Sequence, residues 1–185
     1  LEDLRADVVM KLKQKVDERA SGIFAAATAQ AQAQAAAKKG GAGDASAATA
    51  SKQQQQQSVF SAILSAATRI LLDLTYLKAE VVPCFPANYQ VMDTFRSQYE
   101  RHLVKEIGKL YQRGFPHLDQ GELLQLMEWL DYYNQEIVNL GAVKPCSEFV
   151  QALSVCLQEY LVRVRIQMTE WFTNILNRVQ EVALN

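Results

Sequence analysis

The stretch from Val82 to Tyr89 constrains this chain most, because it holds two prolines, Pro83 and Pro86, between two long helical patterns. Each proline removes an amide donor, clashes with the preceding turn and pushes the residue before it toward extended geometry. We therefore expect the helix that arrives at this stretch to end near Val82. Asn88 can then cap the next helix, so the segment is predicted to be a corner between two helices.

The chain length bounds the number of domains. With 185 residues, the sequence is long enough for one domain with a buried core, or for one segment of a larger protein. It does not begin with Met, and both ends fall within periodic helical patterns. We therefore interpret it as a segment of a longer protein.

Helical periodicity dominates the apolar residues. Leu4, Val8, Leu12 and Val16 begin an amphipathic helix that we place at residues 1–37. From residue 58 onward the three- and four-residue spacing resumes, and no segment has the two-residue period of a strand. The remaining helices are predicted at residues 58–82, 89–113, 120–140 and 148–183.

Residues 38–57 differ from both flanking regions, since they contain Ala, Gly, Ser and Gln but no large apolar side chain. Such a composition buries too little surface to offset the conformational entropy of ordering it. We interpret this segment as a low-complexity linker between the first helix and a helical-rod bundle at residues 58–185. A binding role for its glutamine tract is the alternative.

The predicted fold class is all-α, an elongated bundle or rod of long antiparallel helices. Asp119 and Glu122 form a capping box that begins the fourth helix, and Gly141 is placed to end it. The third helix carries five basic residues, whereas residues 114–143 carry five acids and no Lys or Arg. Opposite charge and a short connection indicate that the third and fourth helices form an antiparallel hairpin.

Composition argues against several functional classes. A formal net charge of −1 gives no general reason to expect nucleic acid as a partner. Gln and Ser interrupt the apolar runs before they reach the ~20 residues of a membrane span, so no integral membrane segment is predicted. The odd number of cysteines, without a CxxC pattern, suggests neither a disulfide framework nor a zinc site and fits a reducing cytosolic environment.

Groups that could carry chemistry are few. The two histidines, His102 and His117, have no Cys or second His within four residues, and no phosphate-binding loop, HExxH or GxSxG motif occurs. We predict no catalytic residue, no cofactor and no metal ligand. An enzyme is the least favoured class.

An aromatic cluster on the fourth helix could form a binding platform. Its members are Trp129, Tyr132 and Tyr133. Trp129 and Tyr133 lie one turn apart, beside Leu126 and Leu130, and we therefore favour packing in the core.

A basic stripe follows the third helix at four-residue spacing, comprising Arg101, Lys105, Lys109 and Arg113. It could attract anionic lipid head groups or an acidic partner helix. Because Glu106 lies beside the stripe and no apolar insertion accompanies it, a solvated face is the favoured interpretation.

Several of these motifs resemble one known family. The Val-Pro-Cys-Phe-Pro corner from Val82, the Gly-Glu-Leu-Leu-Gln-Leu-Met-Glu-Trp-Leu-Asp-Tyr-Tyr helix from Gly121, and Leu140-Gly141 resemble exocyst complex component three, the Sec-six family. The resemblance covers residues 70–141 and, more weakly, 147–180. This chain departs from the family at Ala87, where a second proline is frequent, and residues 25–57 look like an insertion.

The resemblance implies a structural subunit of the exocyst, a tethering complex that captures secretory vesicles at the plasma membrane before fusion. It also implies a cytoplasmic protein, peripheral at the plasma membrane, that contacts other exocyst subunits and fusion machinery of the SNARE type. The alternative is a helical adaptor or scaffold unrelated to tethering, either cytoskeletal or chaperone-linked. Long amphipathic helices without catalytic groups are typical of both.

Overall fold

The computed structural model describes residues 2–37, 45–112 and 118–183. Every regular element within these ranges is helical, so the predicted all-α class is confirmed. The α-helices are α1 (Glu2–Ala37), α2 (Ala45–Tyr76), α3 (Val91–Gln112), α4 (Gln120–Asn139) and α5 (Ser147–Ala183).

Helices α1, α2 and α3 pack together and share one apolar core. The narrow stripe predicted for the first helix is the face that α1 buries, with Val16 and Ala20 almost inaccessible to solvent. Ile70 of α2 and Leu103 of α3 are also fully buried. Because a fully buried aliphatic side chain stabilises a fold by about 1.5–3 kcal/mol, this shared core holds the three helices together.

The carboxylates of Asp73 and Asp17 link α1 to α2 and α3 by hydrogen bonds. Arg19 of α1 donates two hydrogen bonds to Asp73 of α2, at 2.7 and 2.8 Å. Asp17, two residues earlier, accepts hydrogen bonds from Arg101 and Gln98 of α3. These polar contacts border the apolar core and set the register of the helices more than they add stability, since partly exposed ion pairs contribute only ~0–1 kcal/mol.

The proline corner has the predicted place but a different internal structure. The α-helix ends at Tyr76, continues as a π-helix over Leu77–Val81 and tightens to a 3₁₀ turn over Val82–Cys84. Since proline has no amide hydrogen and its ring clashes with the carbonyl one turn earlier, the ladder changes its spacing before Pro83. The predicted single α-helix over 58–82 is therefore wrong at its C-terminal end.

The start of α3 also differs from the prediction. Asn88 lies within a second 3₁₀ turn, Ala87–Tyr89, and does not cap α3. Gln90 follows in the left-handed conformation with φ 47°, and α3 begins at Val91 rather than at residue 89. The predicted end near Arg113 lies outside the described residues.

The predicted linker at residues 38–57 requires a correction. Residues 38–44 lie outside the described part of the chain, but residues 45–57 form the first turns of α2. Ala and Gln have high intrinsic helix propensity, and a helix that is already nucleated by a packed segment propagates into such residues at little cost. The absence of large apolar side chains did not prevent helix formation here.

Helix α4 begins and ends through local signals. Asp119 and Glu122 form the predicted capping box, with both reciprocal hydrogen bonds present. After the C-cap residue Leu140, Gly141 has φ +99°, a backbone conformation that favours glycine. The turn that follows returns the chain as α5, which packs along α4.

The predicted hairpin of the third and fourth helices is not the main packing of either helix. Helix α3 packs chiefly on α1, whereas α4 packs chiefly on α5. Arg101 of α3 pairs with Asp17 of α1, and no ion pair joins α3 to α4 among the described residues. A hydrogen bond from the hydroxyl of Tyr133 to Glu100, at 3.4 Å, does link these two helices.

The segment Val59–Cys84 is long and apolar enough to cross a membrane, judged by length and composition only. The sequence analysis concluded that no apolar stretch is long enough to span a membrane, and this segment shows that conclusion to be wrong as a statement about length and composition. Phe60, Ile63 and Ile70 of this segment lie in the core against other helices. A core helix of a helical bundle passes the same test, so this finding is weak support for a membrane span.

Candidate protein interface on helix α5

Helix α5 is anchored at its N-terminal end by an aromatic cluster. Phe149 is fully buried and makes edge-on contacts with Trp129 and Tyr133 of α4, at ring centroid distances of 5.7 and 5.0 Å. Ala152 and Cys156 continue the buried face of α5 over the next two turns. This first part of the helix therefore belongs to the core.

The anchoring of α5 to the rest of the structure extends as far as Arg163. Its guanidinium donates to the carbonyl of Leu118 at 2.6 Å and pairs with Glu159 one turn earlier at 2.8 Å. From residue 165 to residue 180, every residue of α5 is exposed. The second half of the helix thus projects beyond the helices that cover its first half.

An apolar stripe begins beside the anchored part of α5 and continues along the projecting half, and we call it the α5 stripe. It consists of Leu157, Leu161, Val164, Met168, Trp171, Phe172, Ile175 and Val179. Trp171 is 60% exposed and Phe172 is 52% exposed, although both are large aromatic side chains. Contiguous exposed apolar surface of this kind marks an interaction site in soluble proteins.

The sequence predicted this face but not its exposure. The apolar residues at helical spacing on one face of the fifth helix are Phe149, Leu153, Leu157, Tyr160, Val164, Met168, Trp171, Ile175 and Val179. In the structure Phe149 is buried and Leu153, Tyr160 and Val164 are half-buried, whereas Leu157 and the residues of this face from Met168 onward are exposed. A signal was present, because Val162, Ile166 and Leu176 add apolar residues on a second side of the helix.

The basic stripe of the third helix is partly neutralised. Arg101 pairs with Asp17 at 2.9 Å, and Lys109 pairs with Glu106 in its own helix. Lys105 is exposed, and Arg113 lies outside the described residues. These ion pairs agree with the interpretation of a solvated face.

Asp17 takes part in the polar link between α1 and α3. Burial alone would raise the pKa of Asp17, but hydrogen bonds from His102 and Arg101 outweigh it and lower the pKa. Nε2 of His102 lies 2.8 Å from the Asp17 carboxylate. We therefore assign His102 a positioning role between two helices, and His117 lies outside the described residues.

The cysteines do not have the surroundings of a nucleophile. Burial raises the pKa of Cys146 and that of Cys156 to about 11, so both thiols are protonated near neutral pH. Cys84 is exposed, and its thiol donates to the carbonyl of Glu80. Among the described residues, no group of three or more His, Cys, Asp or Glu is placed to hold a metal ion.

The aromatic cluster on the fourth helix was interpreted either as a binding platform or as part of the core, and the structure supports the core for Trp129. Trp129 is only 7% exposed, stacks on Tyr133 at 5.4 Å and donates its indole N–H to Thr68 at 3.1 Å. Tyr132, by contrast, is 49% exposed. The prediction that Trp129 packs in the core is confirmed.

Comparisons with known proteins identify the family. The model of the family "Exocyst complex component Sec6" matches residues 6–182. The chain is 29% identical over 73 residues to "Exocyst complex component 3" of Caenorhabditis elegans, an alignment that covers 40% of this chain and 9% of that relative. The chain thus spans about a tenth of the length of this curated relative. No solved structure matches the chain significantly. Because the family model covers nearly the whole sequence, the chain belongs to the Sec6 family of exocyst complex components.

Proposed function

We propose that this chain is a structural segment of an exocyst subunit, and that it helps capture secretory vesicles at the plasma membrane before fusion. It acts through helix-face contacts with other exocyst subunits, in the cytoplasm and peripherally at sites of secretion. Fusion machinery of the SNARE type is a further partner in this proposal. Membership in a family of complex components supports it.

The observation that carries the proposal is the exposed α5 stripe. A tether holds its partners at a defined span, so it needs rigid elements and apolar docking faces more than ionisable groups. Helix α5 has 37 residues, and at 1.5 Å per residue it is about 55 Å long. Its first half is fixed to the body by Phe149, while Trp171 and Ile175 on its second half are exposed for a partner.

The experiment is complementation of a strain that lacks the native subunit, with the full-length protein carrying two charges on α5. Trp171→Asp with Ile175→Asp should reduce secreted cargo and leave vesicles accumulated near the plasma membrane. Thr173→Asp with Asn177→Asp adds the same charge to the opposite side of the same two turns, where both residues are exposed, and should restore secretion. Protein abundance is measured for both variants.

Two results would contradict this proposal. Normal secretion with the stripe variant, at normal abundance, would remove α5 as a docking face. Loss of secretion on Cys84→Ser alone, in a protein that still assembles, would indicate a chemical site and not a scaffold.

A further inference from the structure

Helices α2 and α4 are joined by polar bonds at two points. The indole N–H of Trp129 in α4 donates to the hydroxyl of Thr68 in α2 at 3.1 Å. Further along the same two helices' direction, Nζ of Lys78 donates to the carbonyl of Asn139 at 3.1 Å. The partners are 61 positions apart in both pairs, so α2 and α4 run parallel and in one register. The two points are ten residues apart on each helix, a separation of about 15 Å.

Lys78 supplies a positive charge that α4 lacks at its C-terminal end. The last turn of α4 has no basic residue, and the terminal carbonyls carry the negative end of the helix dipole. Lys78 belongs to the π-helix Leu77–Val81 that precedes the proline corner, and its side chain is exposed except at this contact. The end of α4 is therefore stabilised by a residue of the corner.

The contact between these two points is apolar. Leu71 follows Thr68 by three residues and precedes Lys78 by seven, so the three side chains project from the same side of α2. Leu71 is 3% exposed. Apolar contacts have little directional preference, whereas a hydrogen bond depends on distance and angle. Apolar burial therefore holds α4 against α2, and the two polar bonds fix the angle at which it lies.

The direction of α4 determines the direction of α5. Helix α5 packs along α4, and Phe149 at its start contacts the ring of Trp129, the residue that bonds to Thr68. The 16 exposed residues from 165 to 180 extend about 24 Å. A tilt of about 10° at the α2–α4 contact would displace the far end of this length by about 4 Å. A small rotation there therefore redirects the exposed half of α5.

We propose that the Thr68–Trp129 and Lys78–Asn139 bonds form a two-point lock between two units, the first made of α1, α2 and α3 and the second of α4 and α5. With the lock intact the units move as one body. Without it the apolar contact persists, and α5 samples a wider range of directions. A third hydrogen bond between the units, from the hydroxyl of Tyr133 to Glu100, is longer at 3.4 Å and constrains the angle less.

This inference deepens the proposed function, because a tether that holds its partners at a defined span needs a fixed direction of α5. It is tested by a measurement that does not depend on that function. Pulsed electron paramagnetic resonance measures the distribution of distances between two spin labels in the full-length protein. The labels are attached through noncanonical amino acids that replace exposed residues.

The first pair of labels spans the two units, at Lys13 of α1 and Gln167 of α5. In the variant Thr68→Val with Lys78→Met neither bond can form, and the distribution should be about twice as wide as in the unmodified protein. A second pair, at Lys13 and Ser97, lies within the first unit. Its distribution should be the same in both proteins.

The matched control is Thr75→Val with Lys105→Met, which removes a hydroxyl and an ammonium outside the lock. The hydroxyl of Thr75 donates to Leu71 of its own helix at 3.1 Å, and Lys105 is exposed on α3. This control should retain the narrow distribution. Thr68→Ser with Lys78→Arg keeps a hydroxyl and a cation at the two points and should retain it as well.

Thermal unfolding shows whether the double variant folds, since Thr68→Val leaves the buried indole N–H of Trp129 without its acceptor. If the double variant does not fold, Lys78→Met alone is measured, because Lys78 is exposed and its loss leaves the core intact. Its distribution should be wider than that of Lys105→Met.

Two results would overturn the lock: a distribution that stays narrow in the folded variant, or an equal widening in the matched control. Secretion by the same variants, measured by complementation, distinguishes this outcome from failure of the proposed function. If the distribution widens and secretion stays normal, the lock exists and a fixed direction of α5 is not needed for tethering.

Discussion

Replacement of Trp129 by Ala should destabilise the protein strongly, because this side chain joins three parts of the fold. It is 7% exposed, stacks on Tyr133 and contacts the edge of Phe149 from α5. Truncation of a buried aromatic side chain to Ala costs ~3–5 kcal/mol, since both the transfer free energy and the contacts around the cavity are lost. We expect a loss in this range in the free energy of unfolding.

The hydrogen bond of Trp129 can be separated from its packing. Its indole N–H donates to the hydroxyl of Thr68 at 3.1 Å, which links α4 to α2. Trp129→Phe removes the donor with part of the ring and should cost less than the Ala change. Thr68→Val leaves the indole N–H buried without an acceptor, at a cost of ~1–3 kcal/mol. In a double-mutant cycle, the variant with both Trp129→Phe and Thr68→Val should therefore lose less free energy of unfolding than the sum of the losses in the two single variants.

Urea unfolding followed by far-ultraviolet circular dichroism measures these differences. Tyr132→Ala is the matched control, because Tyr132 lies on the same helix and is 49% exposed. Its free energy of unfolding should change by no more than about 0.5 kcal/mol, as is typical of surface positions. If Trp129→Ala shifts the midpoint no more than this control while partner binding is lost, Trp129 is a surface contact and the core assignment is wrong.

Three further changes test the polar link, a buried carboxyl and a turn by thermal unfolding. Hydrogen bonds from His102 and Arg101 lower the folded-state pKa of Asp17, so its contribution to stability is complete at neutral pH and declines as pH falls below about 3.9 toward the folded-state pKa. Asp17→Asn should therefore lower the Tm more at pH 7 than at pH 3, and an equal loss at both pH values would refute this. Burial raises the pKa of Glu100, so its ionisation costs stability as pH rises above about 4.3. Glu100→Gln should therefore raise the Tm at pH 7 more than at pH 4. A larger increase in Tm at pH 4 would contradict this prediction. Gly141→Ala should cost about 1 kcal/mol because its φ of +99° strains a side chain, whereas Gly22→Ala within α1 should stabilise or be neutral.

Elements with local signals could be predicted from the sequence. The capping box at Asp119 and Glu122 needs only residues three positions apart, and the structure has both of its hydrogen bonds. The end of the long helix before Pro83 follows from the missing amide and the ring clash, which also act locally. The form of that interruption could not be predicted, because the missing amide and the ring clash require a break in the α-helical hydrogen bonds without specifying a π-helix over Leu77–Val81.

Residues 45–57 show where composition misleads. The argument for a linker compared buried surface with conformational entropy, and it treated the segment as if it had to form a helix alone. In the structure this segment continues directly into the packed part of α2, where Phe60 is buried. Helix propagation from an existing nucleus needs far less stabilisation than nucleation, so Ala and Gln suffice.

The choice of neighbours could not be predicted from charge. The acidic fourth helix was expected to pair with the basic third helix, but Arg101 pairs with Asp17 of α1, a residue 84 positions earlier. Exposed ion pairs contribute too little to select between packings. The selection is made by apolar faces, and the sequence shows which residues form each face without showing which faces meet.

The two tryptophans show that the sequence does not reveal which apolar faces are covered. Trp129 and Trp171 both lie on apolar stripes at helical spacing, and core packing was predicted for Trp129. One is 7% exposed and the other is 60% exposed, because Phe149 and Tyr133 cover the first and no described helix covers the second. The driving force for burying apolar surface is the same whether the covering helix is part of the fold or of a partner. A stripe on a helix therefore predicts that the face will be covered, and only the structure separates the residues that stabilise the fold from those available for association.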